Sequence, residues 1–217
     1  MRKQLLPIFV ILSLCLLLIP NVNAEELYAG NPKAWCSRTT YNQAALVHYY
    51  GNLQSVYNNV SIQTAYSQWA VNCGGYSYVT NTVTQNPEYA YGRIYYLVPT
   101  TNYWQLYTGS NAYWCLGFTL LYDSNGDEIN SQTASTTTSL IRSANVFIQP
   151  ESYNVFSTLT EAQQNCVVTH EIGHALGFGH TAVSDPAGNS IMDDGAISYT
   201  AITTVDQSNL AAKYPRP

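Results

Sequence analysis

Charge is scarce in this 217-residue sequence. Asp, Glu, Lys and Arg together make up 10% of it, and Lys and Arg number only eight. Beyond Lys3 no two basic residues are adjacent. Without a basic stripe, nothing attracts nucleic acid or an anionic membrane by long-range electrostatics. There is no internal repeat and no long low-complexity linker, which excludes solenoids and tethered arrays. Past the N-terminus no apolar run reaches the roughly 20 residues of a spanning helix. Methionine and histidine are also rare, with two and four copies. What the chain has instead is tyrosine, 19 copies of it, with abundant Ser, Thr, Asn and Gln. That composition implies a polar, weakly charged surface and favours strands.

The N-terminus reads as a leader. Arg2 and Lys3 give a basic start, Leu5 to Ile19 is an apolar run broken by Pro7 and Ser13, and Val22-Asn23-Ala24 ends in the small-residue pattern of a signal-peptidase site. The expectation is a signal peptide over 1–24 and a secreted, extracellular domain over 25–217, with no membrane contact after cleavage. Losing Arg2 and Lys3 takes the formal charge from −5 to −7. The leader also takes Cys15 of the five cysteines, leaving Cys36, Cys73, Cys115 and Cys166. An even number in an exported chain points to two disulfides, and three connectivities are open by count.

Hydrophobic patterning gives an α+β order of elements. Strands are expected at 42–50, 74–83, 92–99, 116–123 and 144–150. A helix is expected over 59–72, where Ile62, Ala65, Tyr66 and Trp69 recur at helical spacing. Thr160 and Gln163 form a capping-box pattern that starts a second helix, and Gly177 is a natural stop for it. Residues 181–203 read as loop. Thr204 and Gln207 repeat the capping pattern for a final helix before Pro215. With a strand, a return helix and a parallel strand at the start, Cys36 and Cys73 come to one sheet edge. The expected bridges are therefore Cys36–Cys73 and Cys115–Cys166, the second bracing the later helix.

Three of the four histidines fall in "HEIGHALGFGH", residues 170–180. On a helix His170 and His174 lie one turn apart on one face and suit a single metal ion. Glu171 projects to the side, where it can hold a metal-bound water without being a ligand. Gly177 lets the chain turn so that His180 returns as a third ligand. Three neutral nitrogens leave one zinc position open, the arrangement of a catalytic site. A zinc-activated water with Glu171 as general base would hydrolyse a peptide bond.

The pattern His-Glu-x-x-His-x-x-Gly-x-x-His resembles the signature of the metzincin metalloproteases, and "NSIMDDG" (189–195) resembles their methionine turn. The likeness implies a metzincin-type zinc protease fold: a twisted five-stranded mixed sheet, a backing helix, the active-site helix, the Met-turn and a C-terminal helix. It makes Met192 an apolar floor beneath the zinc, not a ligand. Element order, Trp69 near the end of the first helix, Thr181 after the third histidine and Tyr214 near the chain end look most like the matrixin branch. The resemblance spans roughly 40–217, with its specific motif at 170–192. The strand at 116–123 is then the cleft edge on which an extended peptide or protein substrate pairs, and 193–199 line the pocket just after the cut. A monomer is expected.

The chain also departs from the pattern of the family it resembles. Asp194 stands where astacins carry a zinc-binding Tyr. His48 is the only histidine outside the motif, so no second, structural zinc is expected. Cys36 lacks the pattern of a latency cysteine. Asp123 and Asp127 flank Ser124-Asn125-Gly126, where calcium or a plain hairpin turn would each suit; no complete calcium motif is present. The alternative for the whole chain is a zinc-stabilised extracellular binding module without catalysis, against which the presence of Glu171 weighs.

Overall fold

A computed structural model of the chain describes residues 46–49, 51–71, 79–80, 92–129, 141–180, 190–195 and 197–213. The expected leader, Cys36, Cys73, Thr181 and Tyr214 lie outside them. Among the described residues no helix is long and apolar enough to cross a membrane.

The elements run β1 (Leu46–Tyr49), α1 (Leu53–Val56), α2 (Ile62–Val71), β2 (Val79–Thr80), β3 (Gly92–Leu97), α3 (Thr101–Thr108), β4 (Gly117–Tyr122), β5 (Ser143–Ile148), α4 (Glu161–Ala175) and α5 (Thr204–Lys213). The class is α+β, as expected, and all five strands expected from the sequence join one mixed sheet in the order β2-β1-β3-β5-β4. The pairs β1–β2, β1–β3 and β3–β5 are parallel. Strand β4 runs antiparallel to β5, pairing Gly117 with Ile148 through Tyr122 with Ser143, and it ends the sheet.

Alternation along β4 and β5 sorts side chains to two faces. Leu121, Ala144, Val146 and Ile148 join the main core with Trp69, Ile172 and Met192. Full burial of each Leu, Val and Ile side chain there contributes about 1.5–3 kcal/mol. Phe118, Leu120 and Phe147 face the other way, toward Trp104.

That second face is covered by α3, which the periodicity reading leaves unassigned. Its first residues, Thr-Asn-Tyr-Trp, favour strands as much as helix. The helix is set by its ends and its packing instead. Thr100 caps it by accepting from the Tyr103 N–H at 3.3 Å, and Gly109 closes it at φ 55°. Trp104 is fully buried and donates its Nε1–H to Ala112 O at 2.8 Å. Phe118 receives Trp104 and Tyr107 at ring separations of 5.1 and 5.4 Å.

Buried Gln149, at the end of β5, fixes the turn between α3 and β4. Its Nε2 donates to Tyr113 O and Cys115 O, both at 2.9 Å, and its Oε1 accepts from Phe156 N at 2.9 Å.

The Cys115–Cys166 bridge expected from the sequence is not formed; both residues carry thiols. Cys115 packs against the Trp104 cluster and Cys166 belongs to the main core, so the two side chains serve different clusters. Burial, with help from Glu171, pushes the Cys115 thiol up to about 12. Helix α4 is braced without a disulfide. Ser61 N donates to Asn165 Oδ1 at 2.9 Å, and Trp69 Nε1 donates to Thr169 O at 2.9 Å.

At 123–127 the Asp123 carboxylate does the work of the turn. Its Oδ1 accepts from Asn125 N at 2.8 Å and Asp127 N at 3.1 Å, with Gly126 at φ 85°.

Candidate metal centre

Helix α4 begins as the sequence indicates. Thr160 and Gln163 exchange side-chain and backbone bonds in a full capping box, worth about 1 kcal/mol. It ends in a Schellman motif. Phe178 N donates to Gly173 O at 3.1 Å, Gly177 N donates to His174 O at 2.8 Å, and Gly177 sits at φ 80°. A side chain at that φ would be strained, so glycine is what lets the chain reverse.

The reversal brings the three histidines together. Nε2 of His180 lies 3.2 Å from Nε2 of His170 and 3.2 Å from Nε2 of His174. Each helical imidazole is oriented through its other nitrogen. His170 Nδ1–H donates to Ile191 O at 2.7 Å, and His174 Nδ1–H donates to Phe178 O at 2.7 Å. A carbonyl only accepts, so both Nδ1 atoms carry the proton and both Nε2 lone pairs face inward. Burial holds His170 down to about 4 and His174 well below its ordinary value, so both rings are neutral near pH 7.

These residues fit a metal. Lone pairs converging at such distances repel one another unless a cation lies between them. A tetrahedral ion with metal–nitrogen bonds of about 2.0–2.1 Å sets its ligand nitrogens about 3.3 Å apart. Among the described residues, His170, His174 and His180 form the group able to hold a metal ion.

Glu171 is buried beside them. Its Oε2 accepts from Thr119 Oγ1 at 2.8 Å, and the same hydroxyl lies 3.1 Å from the Glu171 main-chain oxygen. Burial pushes the carboxyl up to about 8, against the pull of the Thr119 hydroxyl. Met192 is 1% exposed, with its sulfur against Gly173 on α4. Its N–H donates to Ser190 Oγ at 2.9 Å.

Other residues of the site are not visible in the spacing of the motif. Asp206, on α5, is 1% exposed and ties the Met192 turn to that helix. Its Oδ1 accepts from Ser190 Oγ at 2.5 Å, and its Oδ2 accepts from Ile191 N at 3.1 Å and Thr203 N at 2.6 Å. The cap of α5 is therefore Thr203 with Asp206, one position before the expected Thr204–Gln207 pair. Position 206 is where a carboxylate meets both the helix N-terminus and the turn donors. Gly117, Thr119 and Gly173 complete the surroundings. An Asp at the third position of a helix opened by Thr is a signal the sequence does carry; a strand Thr opposite a helix Glu is not.

No protein-family model matches the chain, and no curated protein matches it.

Proposed function

We propose that the chain is a secreted zinc metalloendopeptidase of the metzincin type, closest in pattern to the matrixin branch. The observation that carries this reading is the convergence of three imidazole Nε2 atoms next to a buried carboxylate that is not one of them. A site built only to store or stabilise a metal has no use for Glu171 held in that position.

His170, His174 and His180 would hold the ion. When bound there, zinc supplies Lewis acidity, bringing water's pKa towards roughly 7, favouring the Glu171 carboxylate and polarising a substrate carbonyl. Glu171 takes a proton from the attacking water as the new C–O bond forms. It returns that proton to the leaving nitrogen as the C–N bond breaks. Ile191 O and Phe178 O keep His170 and His174 in the Nδ1–H tautomer throughout. Strand β4, the antiparallel one of the two sheet edges among the described strands, would offer backbone groups to an extended substrate.

The experiment is direct. Purified mature protein is analysed for metal and offered a broad peptide library, with and without a strong chelator. The reading expects one zinc per chain and cleavage that the chelator abolishes. Zinc without cleavage would instead favour an extracellular binding module; cleavage that survives chelation would remove the metal from the mechanism.

A further inference from the structure

As a general base, Glu171 needs a carboxylate held in one place. Strand β4 presents two residues to it from one face, Gly117 and Thr119, two positions apart. Glu171 is buried, and its Oε2 accepts from Thr119 Oγ1 at 2.8 Å. The other oxygen faces Gly117. A Cβ at 117 would lie 2.7 Å from Glu171 Oε1, 2.8 Å from its Cγ and 2.9 Å from its Cδ. Glu171 alone supplies these close contacts, and it is a movable side chain. An added methyl would therefore displace the carboxylate before it disturbed the backbone.

We infer that Gly117 and Thr119 are positioning residues for Glu171: a two-part cradle on the edge strand, one residue yielding space for the carboxylate and the other anchoring it by a hydrogen bond. This rests on the protease reading for its kinetic consequence, not for its geometry. Glu171 has three side-chain torsions and several rotamers, and burial alone does not choose among them. The hydroxyl selects one rotamer, and the bare Cα at 117 makes that rotamer available. Oε1 is then the oxygen free of the Thr119 bond. Placement within a fraction of an ångström matters here, because a misplacement of about 1 Å can cost about 10²-fold in rate.

The test uses the full mature protein with three substitutions. Gly117→Ala is expected to keep metal content close to wild type and to lower the melting temperature by overpacking, while kcat falls by about 10²-fold. Thr119→Val, nearly the same shape, should lose roughly 10–100-fold in kcat with KM little changed, the weight of one hydrogen bond to a charged group. Thr119→Ser, which restores the hydroxyl, should recover most of that loss. In a Glu171→Ala background neither Gly117→Ala nor Thr119→Val should lower the residual rate further. Independently of activity, crystals of chelator-treated Gly117→Ala and Thr119→Val should show the Glu171 carboxylate moved from its wild-type position. Wild-type kcat in both variants, or an unmoved carboxylate in those crystals, overturns the inference. If wild type cleaves no peptide, the protease reading fails; a displaced carboxylate in the crystals would still uphold the cradle.

Discussion

The Met192 sulfur rests on the bare Cα of Gly173, one residue before His174. A Cβ at 173 would collide with that sulfur and lie 2.8 Å from Trp69 Cζ2. Both neighbours are buried, at 1% and 2% exposure, so neither has room to withdraw. In an exposed helix interior Gly→Ala stabilises by about 0.5–1 kcal/mol. Here the sign should reverse. Gly173→Ala should lower stability by about 1–3 kcal/mol, as overpacking does. Denaturant midpoints measure it, and an unchanged or higher midpoint would show that the sulfur does not sit on Gly173.

Asp206 reaches the histidine cluster at two removes. Its carboxylate holds Ser190 and Ile191, and Ile191 O holds His170. Asp206→Asn should weaken metal binding by about 10–100-fold, as loss of an outer partner does. It should also cost about 1–3 kcal/mol of stability. Competition against a chromophoric chelator gives the first number and thermal unfolding the second. Unaltered metal affinity would mean that the turn keeps its place without the carboxylate.

Glu171 makes chelator-treated protein sensitive to pH. Its carboxyl is raised from 4.5 to about 8 in the fold, by burial first. Between those values the folded state holds a proton that the unfolded state has released. Stability should therefore fall as pH rises from about 4.5 to 8. Glu171→Gln removes this dependence, so its melting-temperature advantage over wild type should be absent near pH 4 and full by pH 9. His170, lowered from 6.5 to about 4, acts with the opposite slope in both proteins and cancels from the difference. An advantage independent of pH would refute the assignment.

Removing a ligand and removing the base should look different. His174→Ala should lose metal and cleavage together. Glu171→Ala should keep the metal and lose cleavage by at least about 10²–10⁴-fold. Metal analysis and peptide turnover on the same samples separate the two. Wild-type cleavage by Glu171→Ala would remove it as the general base.

What the sequence made legible is what local chemistry encodes. The capping box at Thr160, the turn at Gly177 and the histidine spacing act over a few residues, and the structure places them together as read. The strand positions were legible too, because alternation over a buried face is strong in β4 and β5. Helix α3 was not, since eight residues of mixed propensity take their conformation from Trp104 and the sheet beneath. The Cys115–Cys166 bridge was drawn from the pair left over once Cys36 and Cys73 were set at one sheet edge, and that carries no information on which cluster each thiol joins. Thr119 was invisible because it meets Glu171 across another element and one strand Thr reads like any other; Asp206 was legible as a capping residue of α5, but not its bonds to Ser190 and Ile191.

The Schellman turn after α4 has a consequence for assembly. All three imidazoles belong to one helix end and the eleven-residue stretch it closes, 170–180. The Glu171 cradle comes from a strand 52 residues upstream. Chelation is thus a short-range event and alignment of the base a long-range one. A chain that has nucleated this helix, with the sheet still unpaired, already has the means to capture an ion. Capture by such partly folded chains would diminish the thermal stabilisation expected from added metal, because linkage counts only the preference for the native state. Metal content should therefore report the helix end and the Ile191 turn that orients His170, whereas turnover should report the finished sheet as well.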